Sequence, residues 1–205
     1  MFSLDLSVLR VLYAGGWPSS WVMPVVVLSF LGSGWMLLGL LPALAMRQLR
    51  SFAVVALMTL GLTSGAVTSL KALTSRVRPC NALGWAHTLP IEVPIDGSLP
   101  SGHAAGSFAF ALFVFYFNRR AGLALVILAS LVALSRVMLG VHYPSDVVAG
   151  AVLGSAFGWT GARLYQLRAP AFAGSLGVHA QMDEPPSGVE PKQMPNPGGT
   201  ERLPP

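Results

Sequence analysis

Three short stretches of this 205-residue chain hold most of its chemically versatile side chains. The first is Lys71-Ala-Leu-Thr-Ser-Arg76-Val-Arg78-Pro79. The second is Pro100-Ser101-Gly102-His103, and the third runs from Ser135-Arg136 to His142-Tyr-Pro-Ser-Asp146. Lys71, Arg78 and Arg136 bring three positive charges, and guanidinium forks match phosphate oxygens in bidentate geometry. Ser101 and Gly102 open a helix, where free N–H groups and the helix dipole favour an anion. His103 and His142 are available for nucleophilic and acid–base roles. Asp146 follows His142 by four residues, with Pro144 between them. The proline holds Tyr143 extended, so the carboxylate can reach back to an imidazole nitrogen and fix its tautomer. This set describes phosphate transfer without a metal: cations bind the oxyanion, one histidine attacks, and the other protonates the leaving oxygen.

The elements that must position these residues follow from composition. The chain is 53% apolar and 10% charged, where a soluble domain carries about a quarter charged residues. Its mean hydropathy is +0.62. No charge occurs between Arg10 and Arg47, or from Ser51 to Leu70, which excludes a soluble single-domain enzyme. The apolar content excludes disorder of the main body, and a lone Cys80 excludes an internal disulfide. The net charge of +5 sits on isolated or paired cations, so no basic face tracks a nucleic acid. A cleavable leader is not expected, because the first residues lack a basic segment and a small-residue cleavage site.

A bilayer core needs roughly 20 helical residues, and five segments qualify: 22–46, 52–70, 101–117, 121–139 and 146–166. The expected fold is an all-α integral membrane bundle of about five transmembrane helices. Residues 1–14 add an amphipathic helix in the interface or packed on the bundle. Trp17 and Trp21 suit an aromatic belt. Arg47, Arg50, Arg119, Arg120, Arg163 and Arg168 share one face by parity, the positive-inside signature of the cytoplasmic side. Lys71, Arg76, Arg78, Arg136, His87, His103, His142, Glu92, Asp96 and Asp146 fall on the opposite, external face of the cell membrane. Glycines at 150, 154 and 158, and at 61 and 65, have the spacing that lets helices pack closely. Packing within the bundle is preferred to dimerisation for both sets. The aromatics of 108–117 read as lipid contact and packing. From Ala171 the composition turns proline-rich, so 1–170 is expected to be the membrane domain and 171–205 a disordered cytoplasmic tail.

The three stretches resemble the signature motifs of the type 2 phosphatidic acid phosphatase superfamily, K-x6-RP, PSGH and SR-x5-H-x3-D. They stand here as Lys71…Arg78-Pro79, Pro100–His103 and Ser135-Arg136…His142…Asp146. The resemblance implies a membrane lipid phosphatase. His142 would be its nucleophile, Asp146 the orienting partner and His103 the general acid, with Lys71, Arg78, Ser101, Gly102 and Arg136 binding phosphate. No metal or cofactor is implied, and the partners are a lipid phosphate and the membrane. The compact size is similar to that of bacterial members that recycle undecaprenyl diphosphate. Phosphatidylglycerol phosphate, phosphatidic acid, lipid A and phosphotransfer to another alcohol are the alternatives. Arg76 is expected either to snorkel or to add charge for a diphosphate, and the loop 79–99, with Trp85, either covers the substrate or simply connects two spans. A two-histidine, one-carboxylate metal site from His103, His142 and Asp146 is disfavoured by the three cations. A channel or scaffold would need broken or charged spans.

Overall fold

The computed structural model describes residues 3–33, 40–86 and 95–175. The helices are α1 (Ser3–Leu12), α2 (Ser19–Leu31), α3 (Leu41–Ala45), α4 (Arg47–Thr74), α5 (Pro79–Ala82), α6 (Gly102–Phe117), α7 (Arg119–Met138) and α8 (Pro144–Ser175). The chain is an all-α membrane protein. Three stretches, Arg47–Ala82, Arg119–Met138 and Pro144–Arg168, are long and apolar enough to cross a membrane. The pair Ser3–Gly16 and Ser19–Leu31, bent by 118°, makes a fourth if counted as one broken span. α6, with 16 residues, is shorter. At 1.5 Å per residue it reaches only about 24 Å.

The expected single span over 22–46 is not one helix. α2 stops at Leu31, and Gly32 closes it through bonds from its N–H to Ser29 and Phe30. A Cβ at Gly32 would stand 2.2 Å from Val132 on α7, so that close contact needs a glycine where the helix ends. The chain resumes as α3, with Pro42 in its first turn. α1 packs onto the bundle rather than lying apart from it. Its Leu9 is fully buried with Ala104, Ala133, Val137, Tyr143 and Val147.

The tightest joint is between α6 and α8. A Cβ at Gly150, Gly154 or Gly158 would stand 2.4, 2.0 or 2.2 Å from the carbonyl oxygens of Ser101, Ala105 and Ala109. Small residues thus let two backbones touch, a packing that membranes reward in place of a hydrophobic drive. The expectation of packing within the bundle holds for this triplet. It does not hold for Gly61 and Gly65, where a Cβ would meet nothing within 4 Å. The far end of the bundle is aromatic: Phe52 meets Phe113, Phe117 and Tyr165 edge to face. The helix ends carrying Arg47, Arg50, Arg119, Arg120, Arg163 and Arg168 therefore converge, opposite the three motifs. α8 stays helical to Ser175, past the compositional change at Ala171. The remainder of the proline-rich tail lies outside the described residues.

Candidate active site

The last turn of α4 and the chain beyond it deliver the first set of cations. Ser75 ends the helix in the left-handed conformation (φ 44°), with its N–H donating to the Lys71 carbonyl. Lys71 Nζ lies 2.5 Å from Asp96 Oδ2. Arg78 is 3% exposed and uses its whole fork. Nη2 donates to Asp96 Oδ1 at 2.6 Å and to the Gly97 carbonyl, Nε donates to the Asp96 carbonyl, and Nη1 donates to the Val141 carbonyl. Asp96 reaches these cations because its loop runs against the end of α4. Ser98 N–H donates to the Arg76 carbonyl, and a Cβ at Gly97 would stand 2.9 Å from the Lys71 carbonyl oxygen. Burial alone would raise the Asp96 carboxyl, but hydrogen bonds from Lys71 and Arg78 outweigh it and hold it down at about 2.

The turn between α7 and α8 carries the second set. Gly140, at φ 72°, supplies the left-handed residue that an L side chain would strain. Beyond it His142 is buried, with Nε2 3.0 Å from Arg78 Nη1. A guanidinium only donates, so Nε2 of the neutral ring is the acceptor and the ring proton is on Nδ1. Nδ1 faces Asp146 Oδ2 at 3.6 Å. That is beyond hydrogen-bond length; Asp146 is fully buried, and its Oδ2 accepts from Ser98 Oγ (2.5 Å) and Tyr143 N–H (2.9 Å). Burial presses the His142 imidazole down to about 4; Arg78 and Arg136 push the same way, and Asp146 pulls against them. The ring is therefore neutral at pH 7, with a lone pair turned toward the cations. Arg136, from the end of α7, is 5% exposed; it bonds Ser29 Oγ, and its Nε has no partner among the described residues.

The third set opens α6. His103 is half-buried and within electrostatic reach of Arg136, His142, Lys71 and Arg78. With Gly102 it lines a cavity of about 250 Å³ whose walls include Leu60, Val67, Phe110 and Leu128. Phe110 is thus a cavity wall, while Phe113 and Tyr116 pack in the bundle as expected. Ser101 N–H is already committed to the Asp146 carbonyl at 2.9 Å, so it is not a free amide for an anion. Its Oγ is buried without a partner among the described residues. Lys71, Arg78, Arg136, His103, His142 and Asp146 therefore converge as the spacing predicted. Arg76 does not join the cradle, because its guanidinium turns away to Asp5, Ser145 and Asp146. Trp85 does not cover the site either. It packs edge-on against Tyr13 and under Arg10 of α1. His87 and Glu92 lie outside the described residues. Among the described residues no three His, Cys, Asp or Glu side chains stand where they could hold a metal ion.

Sequence reasoning missed two participants. Asp96 and Asp5 sit in no motif, and nothing in their local spacing marks them. Only the fold brings them to Arg78 and Arg76.

The profile of the PAP2 superfamily matches residues 52–170. The chain belongs to the PAP2 superfamily. It is 38% identical over 126 residues to the decaprenylphosphoryl-5-phosphoribose phosphatase of Mycobacterium tuberculosis, covering 61% of this chain and 68% of that one. It is 36% identical over 87 residues to the undecaprenyl-diphosphatase BcrC of Bacillus subtilis, covering 42% and 45%. The crystal structure of Aquifex aeolicus LpxE superposes with a TM-score of 0.69 at 26% identity, covering 79% of this chain and 96% of that one. The matched PAP2 region contains all three motifs. It leaves out α1, α2 and α3.

Proposed function

We propose that this PAP2 chain removes phosphate from a lipid on the extracytoplasmic face through a phosphohistidine at His142. The observation that carries the reading is the Asp96 carboxylate, which bridges Lys71 and Arg78 beside the lone pair of His142 Nε2. A carboxylate on those cations marks where an anion binds, and a substrate phosphate displaces it. Two phosphate oxygens then take Lys71 and Arg78, and a third takes the Nε of Arg136, which has no partner among the described residues. His142 Nε2 attacks phosphorus in line, the P–O bond to the leaving lipid alkoxide or, in a diphosphate, to the lipid phosphate breaks, and His103 gives its proton to the leaving oxygen. A water then loses a proton to His103 and attacks the phosphohistidine, so that inorganic phosphate leaves and His142 is neutral again. Asp146 stabilises the ring while it carries charge.

The apolar cavity beside His103 has room for the part of the lipid chain next to the phosphate, which would place the leaving group on the side of the acid. Polyprenyl carriers are the substrate class proposed, undecaprenyl diphosphate first, because the relatives include an undecaprenyl-diphosphatase. Arg76 no longer argues for a diphosphate, since its guanidinium is bound elsewhere. The match to a decaprenyl-linked phosphoribose phosphatase favours a second reading, a sugar phosphate on a polyprenyl carrier. The external face is supported by the six arginines gathered at the opposite end of the bundle.

A lipid panel tests this: undecaprenyl diphosphate, a polyprenyl-linked sugar phosphate, phosphatidic acid, phosphatidylglycerol phosphate and lipid A, each with and without exhaustive chelation. Turnover of a polyprenyl substrate that survives chelation is the expected result. Activity confined to a diacyl phosphate, or restored only by added zinc or magnesium, overturns it.

A further inference from the structure

Arg76 lies outside the three motifs, yet it is among the most heavily bonded side chains at the site. Its Nη1 donates to Asp146 Oδ1 at 2.6 Å and to Ser145 Oγ at 2.7 Å, and its Nη2 donates to Asp5 Oδ2 at 2.8 Å. The guanidinium lies 4.3 Å over the ring of Tyr143. Asp5 is 5% exposed and reaches across from α1 to accept from Ser145 N–H (3.0 Å) and Ser145 Oγ (2.6 Å). A buried carboxylate from one helix therefore caps the start of another, α8, where Asp146 sits. The charges alternate from Asp5 through Arg76 to Asp146, and Asp146 faces the neutral ring of His142.

We propose that Arg76, clamped by Asp5, is a positioning residue that fixes the Asp146 carboxylate against His142 and shares its charge. The inference rests on the reading of His142 as nucleophile. Asp146 Oδ1 is taken by Arg76, which leaves Oδ2 alone to face Nδ1, so the carboxylate cannot rotate away. The same ion pair draws off part of its negative charge, and the imidazole is less basic than a free carboxylate would make it. Asp5 and Ser145 hold the fork itself in place. Asp5 and α1 lie outside the region matched by the family profile, so the clamp reaches the motif residues from the N-terminal helix. The charged or titratable groups that face His142 are Asp146, Arg78, Arg136 and, across the site, His103. Of these, Arg76 touches Asp146.

The test uses full-length protein, with undecaprenyl diphosphate and phosphatidic acid assayed in parallel for kcat, KM and the pH profile of kcat/KM. Arg76→Gln is expected to lower kcat at least about 100-fold with KM little changed, as misorienting a catalytic histidine does. It is also expected to move the acid limb up by about one pH unit, because Asp146 then acts on His142 unshared. Arg76→Lys restores the charge and brings the limb back, with part of kcat. Asp5→Asn lowers kcat without raising the limb, and it carries the test should Arg76→Gln fail to fold. A rise in KM at constant kcat makes Arg76 a phosphate contact and overturns the proposal. An acid limb that stays put in Arg76→Gln while kcat falls with the melting temperature overturns it too, as does an Asp5→Asn enzyme with unchanged kcat. Substantial turnover by His142→Ala would instead break the underlying reading, so the two failures are told apart.

Discussion

On the two sides of His142 the protein pairs arginine with aspartate in opposite ways. Behind the ring, Arg76 is held by Asp5 and Asp146, whose side chains are 6% and 0% exposed. In front of it, Arg78 and Lys71 share Asp96, which is 52% exposed, and Arg136 keeps an Nε without a partner among the described residues. The cations are buried or nearly so on both sides, and the exposure of the carboxylate sets the two sides apart. Ion pairs at the surface are worth about 0–1 kcal/mol, so a multiply charged phosphate can replace Asp96. Removing one member of a buried pair costs about 3–5 kcal/mol, because the other is left uncompensated. On the proposed reading the front pair is exchangeable and the rear pair is fixed.

That contrast is open to test by substitution. His142→Ala, which removes the group between the two sides, should cut turnover by 10⁴-fold or more, on the order seen when a nucleophile is deleted. It should also abolish the acid-labile, base-stable phosphoenzyme trapped by quenching with radiolabelled substrate. A phosphoenzyme that persists and maps to His103 would reverse the two roles. Asp146→Asn, behind the ring, should cost about 10⁴-fold in kcat while leaving the helical circular dichroism intact. His103→Ala should lose about 10²- to 10⁴-fold, with part recovered on a substrate whose leaving group needs no protonation. Equal losses on good and poor leaving groups would remove His103 from the acid role.

The pH profile sharpens the same contrast. Attack requires the neutral imidazole, and His142 is held down at about 4. Its reactive form therefore dominates above that pH and declines below it. The acid limb of kcat/KM should fall near pH 4, for a substrate whose own ionisation is constant there, and a limb at 6.5 would show an unshifted ring. The smallest expected effect has the opposite sign to the rest. Asp96→Asn, in front of the ring, should tighten inhibition by inorganic phosphate or vanadate by about fivefold, the scale of an exposed ion pair. Weaker inhibition in that variant would make Asp96 a support for the cradle rather than its displaceable occupant.

The sequence made the candidate site legible because its residues are confined to short motifs at the ends of apolar runs. Helix direction alone then brings Lys71, Arg78, His103, Arg136, His142 and Asp146 to one end. The long spans were legible for a similar reason, since 20 apolar residues permit little else in a bilayer. The break at Gly32 was not, because hydropathy averages over a window and cannot see a glycine pressed against Val132. The roles of Arg76, Asp5 and Asp96 depend on contacts between residues 18 to 140 positions apart. No local periodicity encodes such contacts. Ser101 looked like an amide donor for phosphate, but its N–H is spent on joining α6 to α8.

The short α6 sets the depth at which this chemistry happens. A hydrocarbon core of about 30 Å exceeds the roughly 24 Å that 16 residues can span. α8, bound to α6 backbone against backbone, cannot slide to make up the difference. The first turn of α6, with His103, therefore lies sunk below the headgroup plane, or the bilayer thins around it. On the proposed reading, a lipid phosphate meets the histidines by dipping a few ångströms while its chain stays among its neighbours. The thickness of the surrounding membrane thus becomes part of the distance between nucleophile and substrate.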